Sequence, residues 1–215
     1  RSTSRIYTDY GFLTSDKQIT EDVSNLFVQL TSLGKVPKTN KLLHAPFTLM
    51  DGLLSRINRE ISHAKEGKSA HIIIKVNSLV EPTMISALYR ASMAGVKIDL
   101  ITRGICCLKP GISGLSENIH VRSIIGRFLE HTRIYYFDND GDTEVWAASA
   151  DLMKRNLLRR VEACFPIQAK QLRQQIIDDL QLYLADNVQA WQLAPDGRYQ
   201  RIEQDEHTEA VCAQS

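Results

Sequence analysis

Apolar positions along this chain change their period several times, and each change marks an element. IYTDYGFL (6–13) is rich in aromatic and β-branched residues and reads as a strand. Ile19, Val23, Leu26, Phe27 and Leu30 then recur at helical spacing over 17–33, with Ser15 or Asp16 placed to cap that helix. LGKVPKTNK (33–41) carries Gly34 and Pro37 and has no apolar period, so a linker and a domain boundary are expected near Lys41. Met50, Leu53, Leu54, Ile57, Ile61 and Ala64 trace the face of a second helix, ended by Gly67. HIIIKV (71–76) is a continuous apolar run but for His71 and Lys75, as a strand buried on both faces would be. Pro82 opens a helix with Ile85, Leu88, Tyr89 and Met93 on one side; Gly95 stops it, and VKIDLIT (96–102) is the next strand. That β-α-β order implies a parallel pair with a right-handed crossover. Strand-like segments recur at 119–125, 132–137, 144–149 and 160–165, followed by a helix at about 168–185. The polar tail, 201–215, is expected to be frayed and disordered. The pattern as a whole predicts an α/β fold with a mixed sheet flanked by helices.

Composition narrows the reading. With 215 residues, 43% of them hydrophobic, the chain suits one full domain, or one domain with part of another attached. Its net charge of +1 argues against charge-driven nucleic-acid binding. Its apolar runs fall far short of the roughly 20 residues that span a bilayer. Cys106, Cys107, Cys164 and Cys212 lack zinc-type spacing and read as reduced thiols of the cytoplasm. The opening Arg-Ser-Thr-Ser-Arg has neither an initiator Met nor an apolar signal segment and reads as the cut end of something longer.

Phosphate chemistry is the natural first test for such a fold. Gly67-Lys68-Ser69 resembles the end of a P-loop, but a helix precedes it and a strand follows, the reverse of the P-loop order, so it reads as a helix stop. HTRIYYFD is more informative. It sets His131, Arg133 and Asp138 in an H-x-[K/R]-x4-D arrangement, followed by Ser149 and Asp151 in AASAD. Two residues apart on a strand, His131 and Arg133 leave the same face. An imidazole beside a fixed guanidinium suits phosphoryl transfer, because one can move a proton or meet phosphorus while the other offsets charge on the phosphate oxygens. Arg103 stands just past a predicted parallel strand, where α/β ligand sites form. With Lys109, Arg122, Arg127 and Arg133 it makes residues 103–133 locally basic, and Lys154, Arg155, Arg159 and Arg160 form a second basic run.

HTRIYYFD, SADLMKRNLLRRVE, ITRGICCLKPGISGLSENIHVRSIIGRFLEH, KVNSLVEP and SRIYTDYGFLTSD together resemble the C-terminal part of bacterial polyphosphate kinases of the first type, from about Thr3 to about residue 190. The resemblance implies a phospholipase-D-like fold. Residues 1–40 would be the remnant of a first such domain and 41–200 the second. It also implies reversible transfer of the terminal phosphate of ATP to inorganic polyphosphate through a phosphohistidine N-terminal to this chain. Tyr7 matches the family's nucleotide-contacting tyrosine, Arg103 its ATP-binding arginine, and His131 its second-motif histidine, which contacts phosphates or acts as an acid. Arg133 would hold phosphate or Asp138. No metal ligand is expected within the chain; Mg2+ would accompany ATP, bound by residues upstream. The expected partners are ATP, ADP and polyphosphate, with homo-oligomers of the full-length protein, no nucleic acid, and at most peripheral association with the inner membrane from the cytoplasm. Two alternatives remain: a phospholipase-D-type phosphodiesterase or phosphatidyltransferase, which would use Lys at position 133, and a non-catalytic polyphosphate- or nucleotide-binding module.

Overall fold

A computed structural model describes residues 3–31, 38–203 and 209–214. After a short 3-10 turn, Tyr7–Thr8 form a two-residue strand, β1, which is all of the strand expected over 6–13. Helix α1 (Lys17–Thr31) follows, and the Asp16 carboxylate caps it, accepting from the backbone N–H groups of Gln18 and Ile19 at 3.0 Å. Residues 32–37, most of the predicted linker, lie outside the described residues.

The body comprises β2 (Leu43–Ala45), α2 (Leu49–Lys65), β3 (His71–Val76), α3 (Pro82–Met93), β4 (Lys97–Thr102), β5 (Ile119–Ile124), β6 (Leu129–Glu130), β7 (Arg133–Phe137), β8 (Glu144–Ala148), α4 (Lys154–Arg159), β9 (Glu162–Pro166), α5 (Lys170–Ala185), β10 (Ala190–Leu193) and β11 (Tyr199–Arg201). Nine of these strands make one mixed sheet in the order β11-β10-β5-β4-β3-β7-β8-β9-β2, while β1 pairs separately with β6 in parallel. The central β5-β4-β3 strands run parallel and β7 is antiparallel to β3. The predicted crossover is therefore present, closed by Glu81, whose carboxylate accepts from Met84 N at 2.8 Å ahead of Pro82.

Alternation along the central strands serves two cores. Ile72, Ile74, Val76, Ile98 and Leu100 pack against Leu53 and Ile57 of α2 and Leu88 of α3. Ile73, Ile101 and Ile134 face the other way, toward Ile176 and Leu180 of α5. Gly67 and Gly95, where two helices turn back toward strands, stand at φ +71° and +93°, values that favour glycine.

The tail departs from expectation. Tyr199–Arg201 form β11 on β10, and residues 209–214 dock: Val211 exchanges hydrogen bonds with Asn187, and Ala213 N donates to Asp186 at 2.8 Å. Hydrogen bonds between its backbone and the side chains of Asn187 and Asp186 hold this segment, which is why its polar composition misleads. Residues 204–208 and 215 lie outside the described residues. Among the described residues no helix is long and apolar enough to cross a membrane.

Candidate functional site

The carboxyl ends of β3, β4 and β8 and the start of β7 meet at one edge of the sheet, because β7 runs antiparallel between β3 and β8. Asn77, Arg103, His131, Arg133 and Asp151 are gathered there. The His131 ring is one-third exposed, and both its nitrogens are engaged. Nδ1 lies 2.8 Å from an Asp9 carboxylate oxygen, and Nε2 lies 3.1 Å from Arg133 Nη1. A guanidinium only donates, so Nε2 accepts in this arrangement, and the ring proton sits on Nδ1 facing Asp9. The Tyr7 ring meets the imidazole edge-on with centroids 4.9 Å apart.

Arg133 spreads its donors over three acceptors. Nε and Nη2 reach Asp151 at 3.2 and 3.1 Å, and Nη1 also donates to the His131 carbonyl at 2.9 Å. Asp151 in turn accepts from Asn77 N at 2.7 Å, which ties the fork to the end of β3. Arg103 Nη1 donates to the Glu130 carbonyl at 2.9 Å, one residue before His131.

Tyr7, Arg103, His131 and Arg133 are thus brought together around residues 129–133, with a qualification for Tyr7 and Arg103. His131 and Arg133 line a cavity of about 430 Å³ with Asp9, Tyr10, Phe12 and Phe165, the two phenylalanine rings stacking at 4.7 Å, and neither Tyr7 nor Arg103 is part of that wall. Asp138 does not join them. It follows the far end of β7, five positions and roughly 16 Å from Arg133 at strand rise, where its N–H donates to His71 O and Tyr136 Oη lies 3.3 Å from its carboxylate. The carboxylate that Arg133 holds is Asp151. Ser149 turns aside to Glu162, which Asn156 also bonds at 2.7 Å. Nor do the cations of 103–133 form one patch: Arg122 donates to the Tyr183 carbonyl near the end of α5, and Arg127 lies over Phe128. Lys154, Arg155, Arg159 and Arg160 are exposed on and after α4.

Asp9 lies outside the motifs that the sequence exposes, although it carries a signal. Tyr7 and Asp9 are two apart in IYTDY, as His131 and Arg133 are in HTR, and Tyr7 and Asp9 both meet the His131 ring.

Two family models match the chain: "Polyphosphate kinase C-terminal domain 2" over residues 42–214 and "Polyphosphate kinase C-terminal domain 1" over residues 1–36. The chain belongs to the polyphosphate kinase family. A polyphosphate kinase of Pseudomonas aeruginosa is 58% identical over 199 residues, which cover 93% of this chain and 29% of that protein. One from Neisseria meningitidis serogroup C is 56% identical over 202 residues, covering 94% and 30%. The crystal structure of a Porphyromonas gingivalis polyphosphate kinase superposes on all of this chain and 33% of its own, with a TM-score of 0.95 at 39% identity. The chain therefore spans about three tenths of the length of the curated polyphosphate kinases it matches.

Proposed function

We propose that this chain supplies one half of the active site of an ATP:polyphosphate phosphotransferase, reversibly moving the terminal phosphate of ATP to inorganic polyphosphate. A histidine outside the chain is the nucleophile: its nitrogen bonds the γ-phosphorus as the bond to the ADP oxygen breaks, and the polyphosphate end then takes the phosphoryl group. One observation carries the reading. His131 is held at Nδ1 by Asp9 and presents Nε2 beside a guanidinium on the wall of a cleft, while Arg103 bonds the carbonyl one residue before it.

In that setting Asp151 fixes the Arg133 guanidinium and the guanidinium fixes the imidazole. A phosphate entering the cleft would draw Nη1 away from Nε2 and leave that nitrogen free to serve as a proton donor or acceptor. Tyr7 packs against the imidazole and is placed to meet the nucleotide. Arg103 approaches the phosphates from the end of β4. Among the described residues no three His, Cys, Asp or Glu side chains gather as a metal-binding group. The two carboxylates at the His131–Arg133 pair are already engaged, Asp9 by the His131 Nδ1–H and Asp151 by the Arg133 guanidinium. They do not fit a magnesium site, so magnesium is given no role among this chain's residues.

In the full-length protein, His131→Ala and Arg103→Ala are each expected to cut polyphosphate synthesis by about 100- to 1,000-fold, as loss of a transition-state donor does. Near-normal turnover in both variants would remove the assignment. After incubation with γ-labelled ATP, peptide mapping is expected to place phosphohistidine outside this chain. Stable label on His131 would overturn the division of roles.

A further inference from the structure

Beneath the His131 edge, the α5 side of the sheet holds a charge in its core. Lys75, on β3 between Ile74 and Val76, is 2% exposed, and Glu130 is 3% exposed. Their Nζ and Oε2 atoms are 2.9 Å apart, and Lys75 Nζ also donates to Thr132 Oγ1 at 2.6 Å and lies 4.8 Å from the Tyr183 ring centroid. The Glu130 carboxylate accepts from Thr8 Oγ1 at 3.0 Å and from Gln214 Nε2 at 2.7 Å.

Such a pair seldom stabilises a fold more than apolar side chains of the same volume would. Its connections suggest a different purpose. Thr8 lies between Tyr7 and Asp9, Glu130 immediately precedes His131, and Thr132 lies between His131 and Arg133. In each segment the inward side chain is wired to the pair while its neighbours form the site. The Glu130 carbonyl, moreover, receives Arg103. Fixing the inward layer therefore fixes the outward one, because successive side chains of an extended chain are rigidly alternated. Gln214 closes the arrangement from outside. Besides Glu130 it bonds both the N–H and the carbonyl of Phe128, at 3.0 Å each, holding the strand that leads to His131.

We infer that Lys75 and Glu130 are positioning residues that set the relative placement of His131, Asp9 and Arg103, with Gln214 as their outer clamp. This rests on the phosphotransferase reading above.

The test uses the full-length protein, with steady-state kinetics and melting temperature for Lys75→Met, Glu130→Gln, their double variant, Gln214→Ala and Gln214→Glu. Each single core change is expected to lower kcat about 30-fold while KM for ATP stays within about three-fold, the signature of lost transition-state alignment. The double variant removes the unpaired charge and is expected to regain the wild-type melting temperature but not the wild-type kcat, staying at least about ten-fold low. Gln214→Ala is expected to cost about three-fold in kcat, and Gln214→Glu, which sets a second carboxylate against Glu130, about ten-fold. A double variant with wild-type kcat, or Gln214→Glu at wild-type rate, would overturn the inference, and the Gln214 variants decide it even if the core variants fail to fold. Active wild-type protein with unaffected variants sinks this inference alone. Wild-type protein that makes no polymer from ATP sinks the functional reading and this one with it.

Discussion

Arg133 shows what a guanidinium does here that an ammonium could not. Its planar fork reaches both oxygens of Asp151 while a third nitrogen turns to Nε2 and the carbonyl of His131. A lysine offers a compact point charge and cannot serve those acceptors from one fixed plane. Arg133→Lys in the full-length protein is expected to lower kcat for polyphosphate synthesis about ten- to 100-fold, more than it changes KM; a lysine variant at wild-type rate would show that the fork is not used. Asp138→Asn, by contrast, is expected to leave kcat within about two-fold, and a large loss would return that carboxylate to the site. Spacing exposes the His131–Arg133 pair because its geometry is local, a strand's two-residue period. It misidentifies the carboxylate because Asp151 reaches Arg133 through the β7–β8 register, Arg133 opposite Ala148, and no sequence interval encodes that pairing.

At the scale of elements, α1 is attached to the body by a polar clasp more than by a core. Of its predicted apolar face only Ile19 is buried; Val23, Phe27 and Leu30 are exposed. The helical period is real, but it says nothing about whether a partner surface stands opposite. The clasp is Asp22, fully buried, which accepts from the backbone N–H groups of Asn40, Lys41 and Leu42 at 2.7, 2.7 and 2.8 Å and from the Asn40 side chain at 3.0 Å. Burial alone would raise its pKa, but these donors outweigh burial and hold it below the ordinary carboxylate value. A depressed acid stabilises the fold fully above its unfolded pKa, about 3.9, and that support disappears as pH falls through the lower folded value. Asp22→Ala is therefore expected to weaken docking of α1 by about 3 kcal/mol at neutral pH, read from chemical denaturation. The stability lost by wild type on acidification below about pH 4 should be correspondingly smaller in the variant. An unchanged acid response would mean that another group carries that transition.

Taken whole, the molecule is three layers, α2 and α3 on one face of the sheet and α5 on the other, with the site where the central strands end. β3 matches the sequence reading residue for residue and β4 to within one, since both are long apolar runs and helix-ending glycines precede both. The short or polar elements β2, β6, α4, β10 and β11 were not legible: two to six residues carry no measurable period, and they exist because neighbouring strands offer hydrogen bonds. The thiols can test whether those short elements are as firmly held as the centre. Cys164, on β9, lies opposite Leu43 of β2 on one side and Ala148 of β8 on the other and is wholly buried, and burial pushes its pKa up to about 12. Cys106 is likewise pushed up, chiefly by burial, to about 11, whereas Cys107 next to it is exposed. Because the thiolate is the reactive form, iodoacetamide at pH 8 is expected to modify Cys107 readily in the native protein, and Cys164 only when the sheet opens. If the three-residue β2 shares the cooperativity of the sheet, the Cys164 rate should climb with denaturant in step with global unfolding. Modification of Cys164 as fast as Cys107 in native buffer would show instead that β2 detaches on its own, leaving that edge of the molecule independent of the core that carries His131.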